Sequence, residues 1–187
     1  MKNVPVKDFS MKILIHICCA PCAVYPFRKL REEFEQVIGF WYNPNIHPFL
    51  EHQRRLEAVK IWADKEKAKI IYKDEYDIKK FLRQLVYRES QRCFFCYRER
   101  LEKTAIFAHR GKFDYFSSTL ILSPHQNQKL LKEVMEVVGK EYGVESYLKK
   151  IEEGWQKGRQ LSRKMGLYRQ QYCGCIYSEE ERYKKKC

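Results

Sequence analysis

The chain has 187 residues, with 37 lysines and arginines against 24 aspartates and glutamates, a formal charge of +13. Hydrophobic residues make up 44% and only 8 glycines and 6 prolines occur, which excludes a disordered or collagen-like chain. No apolar run is long enough for a membrane helix, and the stretch Ile13 to Ile17 is too short for a signal-peptide core, so a cytoplasmic protein is expected.

The first strong element is residues 11–17, MKILIHI, a β-rich strand with Ile13, Ile15 and Ile17 on one face and Leu14 and His16 on the other. The loop CCAPC follows, then a helix over about residues 23–36, where Pro26 is tolerable only in the first turn. A strand spans Val37 to Trp41. The turn-rich YNPNIHP, residues 42–48, forbids helix through its Asn-Pro and His-Pro steps. A long helix is expected over 49–68, a third strand over 69–73, a helix over 77–88, and another from near Cys93 to Arg110. Phe113 to Ser117 reads as a strand ending in SSTLILSPHQN. An amphipathic helix follows over 125–142, with Leu130, Val134 and Val138 at helical spacing. Residues 143–147 suit a last short strand, and a basic helix over about 154–165 leads to a loop through Cys175. Ser178 and Glu181 fit a capping box for a short C-terminal helix.

Alternating strands and helices predict an α/β fold with a mostly parallel sheet covered on both faces. No repeat or linker interrupts it, so one domain over residues 1–187, with a basic helical extension at its end, is expected. Ligands of such sheets bind beyond the carboxyl ends of the strands. CCAPC, YNPNIHP and SSTLILSPHQN all fall there by chain order. Residues 17–24 contain no glycine, so this loop lacks the backbone that cradles phosphates elsewhere.

Cysteine carries the chemistry. Cys18, Cys19 and Cys22 form one cluster, Cys93 and Cys96 a second, Cys173 and Cys175 a third, while Cys187 ends the chain and is expected to be inert. These spacings suit a metal or redox centre rather than a disulfide framework. Two C-x-x-C pairs, Cys19/Cys22 and Cys93/Cys96, would serve zinc; that leaves Cys18, Cys173 and Cys175 unexplained. Seven thiols and a C-x-C pair fit an iron–sulfur or mixed-metal site instead. A dithiol oxidoreductase using only Cys19 and Cys22 and a zinc-stabilised tRNA- or RNA-binding module without redox activity are the rivals. CFFC opens a helix, whose N-terminus favours thiolates.

The charge points to a polyanion. Lys79 to Lys112 holds ten basic residues against three glutamates. Arg83, Tyr87, Arg88, Arg92, Tyr97, Arg98 and Arg100 surround CFFC; Lys157, Arg159, Arg163, Lys164, Tyr168 and Arg169 precede the C-x-C pair. Guanidinium groups neutralise phosphates while tyrosines stack on unpaired bases; the bland alternative is a solvated helix face. His16 reads as a satisfied strand residue. His47 and His125 stand in loops at the presumed site.

Together ILIHICCAPCAVYP, FWYNPNIHP with the E-x-x-x-R of Glu51 to Arg55, CFFCYRERLEKTA, FDYFSSTLILSPHQN and GLYRQQYCGCIYS resemble the cobalamin-independent epoxyqueuosine reductases, the QueH family, over residues 12–178. The resemblance implies reduction of the epoxide of epoxyqueuosine to queuosine at the wobble position of tRNA, on a fold similar to the adenine nucleotide α-hydrolase (HUP-like) group. It implies a [4Fe-4S] cluster on Cys18, Cys19, Cys93 and Cys96, with Cys22 replacing one of the adjacent pair if both cannot turn to the same side. It implies a redox pair at Cys173 and Cys175, which with Cys22 could hold an additional iron ion. His125, a tyrosine or water would act as the acid. Tyr42, Asn43, Asn45, His47, Ser117, Ser118, Ser123 and Arg159 would contact the substrate. The partners implied are the tRNA anticodon stem-loop and an unidentified electron donor, with no membrane.

Overall fold

Ile13, Leu14 and Ile15 are buried in succession, so the first strand must be covered on both faces, which is the situation of a central strand in a parallel sheet. A computed structural model describes residues 10–148 and 154–184; Cys187 lies outside them. Five strands, β1 (Lys12–His16), β2 (Gln36–Trp41), β3 (Ile70–Tyr72), β4 (Tyr115–Ser118) and β5 (Glu145–Ser146), form an all-parallel sheet in the order β3-β2-β1-β4-β5. The order reverses direction at β1, and the carboxyl ends of β1, β2 and β4 share one edge.

The pleat of β1 divides the core. Ile13, Ile15 and Ile17 pack with Val24, Phe27 and Trp62 on one face. Leu14 packs with Phe40, Phe116, Leu101 and Met135 on the other. The first face is covered by α1 (Ala20–Glu33) and α2 (Phe49–Glu66), the second by α4 (Arg92–Arg110) and α5 (Gln128–Tyr142). The short α3 (Ile78–Leu85) precedes α4, with Asp77 capping it through a bond from the Lys80 amide at 2.9 Å. The α6 helix (Gly154–Lys164) lies against α1, and Gly154 and Gly158 allow the close approach: a Cβ on Gly154 would stand 2.1 Å from the Tyr25 ring. The chain closes with α7 (Ile176–Tyr183).

Three local expectations change. The first helix begins at Ala20, not near residue 23, because Pro21 already sits in its first turn; Cys22 is therefore helical and Pro26 falls in the second turn. Pro26 has no amide for the Cys22 carbonyl, so that carbonyl lacks its helical partner. The helix expected from residue 125 begins at Gln128, because Asn127 accepts from the Leu130 amide at 3.1 Å and caps it; His125 stays in the preceding turn. The last helix starts at Ile176 with Cys175 as its cap, not at Ser178. The Ser178 hydroxyl instead donates to the Cys175 carbonyl at 2.7 Å and accepts from the Gly174 amide at 3.0 Å, which ends the capping-box reading.

Gly139 lets α5 meet the chain entering β5: a Cβ there would stand 2.8 Å from the Val144 carbonyl oxygen, which is backbone and cannot swing away. Gly139→Ala should therefore destabilise the fold by about 1–3 kcal/mol despite alanine's better helix propensity, read as a lowered midpoint in urea denaturation.

Candidate metal centre

The strand-to-helix junction after β1 decides where the first sulfurs go. Cys18 leaves the strand edge, Cys19 is extended at the cap of α1 (φ −169°, ψ 158°), and Cys22 sits in the first helical turn. Neighbouring side chains on regular backbone diverge; here the change from strand to helix turns both inward, and the Cys18 and Cys19 Sγ atoms are 3.7 Å apart. The three sulfurs of Cys18, Cys19 and Cys22 lie within 4.8 Å of one another, all buried. Among the described residues this is the group of three or more His, Cys, Asp or Glu side chains with that spacing.

Polar neighbours aim donors at these sulfurs. The Thr119 hydroxyl donates to Cys18 Sγ at 3.3 Å and accepts from the Cys18 amide at 3.1 Å. Gln170 Nε2 donates to Cys19 Sγ at 2.9 Å. Hydrogen bonds from Cys19 and Cys22 pull the Cys18 thiol well below its ordinary range, against burial. Burial, then the Cys18 hydrogen bond, pushes Cys19 up; the hydrogen bonds to Cys18 and Cys19, then burial, push Cys22 up. Burial thus resists a second and third thiolate here, a cost that a cation beside the sulfurs would offset. Three soft sulfur donors around one buried point fit a thiophilic metal or an iron–sulfur group.

Cys93 and Cys96 stand in the first two turns of α4. The helix N-terminus was expected to favour their thiolates; burial there raises both thiols. Burial raises Cys93, with Arg92 opposing, and pushes Cys96 up to about 12, with Arg100 opposing. Both feel Cys173 and Cys175, so these four thiols are electrostatic neighbours. Burial also raises Cys173, offset by a hydrogen bond from Gln126 Nε2 at 3.1 Å. The Tyr97 hydroxyl donates to Gln126 Oε1 at 2.9 Å, which orients the amide with its NH₂ toward the sulfur.

Two buried arginines join the thiol groups. Arg55, 1% exposed, donates from Nε to Glu51 Oε1 at 2.6 Å, from Nη1 to the Cys173 carbonyl at 2.8 Å and from Nη2 to the Tyr172 carbonyl at 3.0 Å. The Tyr168 hydroxyl bonds the other Glu51 oxygen at 2.5 Å. Arg55 also feels the Cys18 and Cys19 sulfurs. Arg100, 2% exposed, gives Nε and Nη2 to Asn45 Oδ1 at 2.7 and 2.5 Å and pairs with no carboxylate among the described residues. Its charge reaches Cys96, Cys173, His16 and His47. Arg100 and Tyr97 are therefore interior groups, not the phosphate and base contacts expected of them.

Several expected substrate contacts are engaged elsewhere. His16 bonds Ser118 Oγ at 2.9 Å, the Tyr42 carbonyl at 3.2 Å and Asn43 Oδ1 at 3.2 Å, and burial holds its pKa at about 4. Asn43 also donates to the Ile17 carbonyl, and Ser117 to the Tyr147 carbonyl. Tyr42 is buried against Phe40. Asn45 Nδ2 and His47 Nε2 are buried without partners among the described residues, while His47 Nδ1 accepts from the Ile176 amide at 3.4 Å. Ser123, His125 and Arg159 lie elsewhere, around a cleft of about 780 Å³ between the 119–124 turn and α6. Ser123 lines it, and its wall residue Trp155 packs edge-on to His125 and under Arg159. The same turn reaches Cys18 through Thr119. Sequence reasoning missed Thr119, Gln126 and Gln170 as sulfur partners; only their places inside SSTLILSPHQN and GLYRQQYCGC hinted at a role.

Residues 13–181 match the family described as "Epoxyqueuosine reductase QueH". The chain belongs to the QueH family. A Dehalococcoides mccartyi relative of that name is 38% identical over 93% of this chain and 96% of its own; one from Thermotoga maritima is 36% identical over 92% and 93%. Among solved structures, the U34-tRNA thiolase NcsA from Methanococcus maripaludis with its [4Fe-4S] cluster matches with a TM-score of 0.57 at 14% identity, over 92% of this chain and 63% of that one. That likeness is one of fold, and the chain spans less than two thirds of the thiolase's length. No helix among the described residues is long and apolar enough to cross a membrane.

Replacing Arg55 with Leu strands the Glu51 carboxylate in the interior and frees two loop carbonyls. The expected cost is about 3–5 kcal/mol in urea denaturation, partly recovered when Glu51→Gln is added. His47 supplies a pH dependence. Burial, aided by Arg100 and His52, lowers its folded pKa to about 4 from the ordinary 6.5. The unfolded state binds its proton first, so stability should be full above pH 6.5 and fall as pH drops toward 4. His47→Gln should flatten that slope in denaturation curves taken across the window.

Proposed function

We propose that this chain reduces the epoxide of epoxyqueuosine in tRNA to the alkene of queuosine. The overall change consumes two electrons and two protons and releases the oxygen as water. The observation that carries the reading is the near-full-length QueH match together with the buried Cys18–Cys19–Cys22 triad after β1 and a second group of four mutually interacting thiols, Cys93, Cys96, Cys173 and Cys175. A zinc-stabilised RNA-binding module without redox activity is not favoured, because its relatives would not be named reductases and its fold would need only four thiols.

Cys18, Cys19 and Cys22 are the residues closest to a ready ligand set, with Cys93 and Cys96 the source of further thiolates for a [4Fe-4S] group. The family resemblance put Cys18 and Cys19 with Cys93 and Cys96; the spacing here favours Cys22 beside the adjacent pair. Cys173 and Cys175 serve as the redox pair or as ligands of an additional iron ion. Such groups, when bound, supply single electrons and Lewis acidity.

The chain's own residues do the rest. Gln126 and Gln170 hold donors on Cys173 and Cys19, which fixes the sulfurs and stabilises their anionic forms. Arg55 holds the Tyr172–Cys173 backbone so that the Cys173 sulfur keeps its place beside Cys93 and Cys96. The cleft beside the 119–124 turn has the size of a nucleoside site; Ser123 lines it, and His125 and Arg159 pack on its wall residue Trp155. His125 would protonate the departing oxygen and Arg159 meet a phosphate. An anticodon loop is single-stranded, so its wobble nucleoside can be turned outward into the cleft.

Anaerobic incubation with epoxyqueuosine-containing tRNA and a strong reductant should yield queuosine by nucleoside mass spectrometry. Cys22→Ala and Cys93→Ala should each lose iron, brown absorbance and turnover together. An active, colourless variant, or zinc as the sole metal of the native protein, refutes the assignment.

A further inference from the structure

Of the seven basic and aromatic residues around CFFC, the fold uses most internally. Tyr97 and Arg100 are buried, Arg92 pairs with Glu181, and Arg98 pairs with Glu102 and Glu141. Arg83, Tyr87 and Arg88 remain. Tyr87, in the turn after α3, is 96% exposed, and its backbone is left-handed with φ +61°. Both features are costly for an aromatic residue: the ring buries nothing, and L side chains disfavour that conformation. The turn itself is held by the Arg88 amide donating to the Leu85 carbonyl at 2.7 Å and the Tyr87 amide donating to the Glu89 side-chain carboxylate (Oε1) at 3.2 Å. The ring is thus presented by a fixed turn.

The surroundings name the partner. Arg83 and Arg88 are exposed and make no ion pair among the described residues, and Leu82, Val86 and Phe94 add exposed apolar surface. An exposed aromatic ring with two exposed arginines close to it in the chain suits a base flanked by phosphates. Glu89, two residues past Tyr87, and Cys175 both act on the Tyr177 phenol, which places this turn and the third cysteine motif within electrostatic reach of one residue.

We propose that Tyr87, flanked by Arg83 and Arg88, is a stacking platform for an unpaired base of the RNA substrate. The inference rests on the reading of the chain as a tRNA-modifying reductase and assigns one contact of that substrate. Stacking depends on the ring, not the hydroxyl, so Tyr87→Phe and Tyr87→Trp should bind an anticodon stem-loop RNA as the native chain does. The tryptophan's emission should be quenched on binding.

Tyr87→Ala should raise the RNA Kd by roughly tenfold. Tyr87→Gly should lose binding equally while its melting temperature stays level or rises, since glycine accepts the left-handed turn; this separates a lost contact from a damaged fold. Arg83→Gln and Arg88→Gln should each lower the slope of log Kd against log salt by about one. Native Kd values in Tyr87→Ala and Tyr87→Gly overturn the inference while the native protein's turnover of modified tRNA preserves the reading beneath it. A native protein that binds no stem-loop overturns both. Loss of turnover with a protein reductant, alongside native RNA binding and native turnover with dithionite, overturns the inference in favour of a docking site for the electron donor.

Discussion

The buried guanidinium of Arg55 is the interaction on which the site's geometry rests. Residues 165–175 have no regular secondary structure, so nothing in their own backbone fixes where Cys173 and Cys175 go. Arg55 supplies the missing constraint by meeting one carboxylate and two carbonyls at once, a task that suits a planar fork of donors. Around it the loop gains further ties: Tyr168 to Glu51, the Tyr172 hydroxyl to the His47 carbonyl, and the His47 amide to the Gly174 carbonyl at 2.7 Å. Gly174, with φ +151°, passes close enough that a Cβ would stand 3.2 Å from Nη1. The third cysteine motif is therefore placed by α2 and the loop after β2, not by its neighbours in the chain.

Around the sulfurs, desolvation is the dominant effect. It outweighs Arg92 at Cys93 and Arg100 at Cys96. In the triad only Cys18 is drawn toward the thiolate, because its two cysteine neighbours and Thr119 donate to it. Buried thiols crowded this closely are poorly served by protons alone and well served by a positive ion. The charge on Arg100 has the same sense: with no carboxylate paired to it among the described residues, it favours anionic sulfur at Cys96 and Cys173. Neutral His16 and His47 around that guanidinium keep the region from gaining more positive charge near neutral pH.

Much of the fold was legible in the chain. The alternation of Ile13, Ile15 and Ile17 against Leu14 marks a strand covered on two sides, and the periodicity of Leu130, Val134 and Val138 marks the helix that covers one of them. Boundaries shifted where caps and prolines act locally, as at Pro21 and Asn127. The family was legible too, because five spaced motifs are specific. The substrate contacts were less so. Asn43, Ser117 and Ser118 stand at the right edge of the sheet, but a polar residue in a loop reads the same whether it faces a ligand or bonds a buried histidine.

Residue types and spacing alone determined the parallel α/β architecture, the family and the three cysteine motifs, because hydrophobic period and cysteine position are properties of the chain. Only the tertiary structure decided that Cys22 joins Cys18 and Cys19, that Arg55 and Arg100 lie inside, and that Tyr87 stands in solvent. Those outcomes depend on which surfaces meet when the elements pack, and burial then sets whether a charge is solvated, paired or left to face an anion.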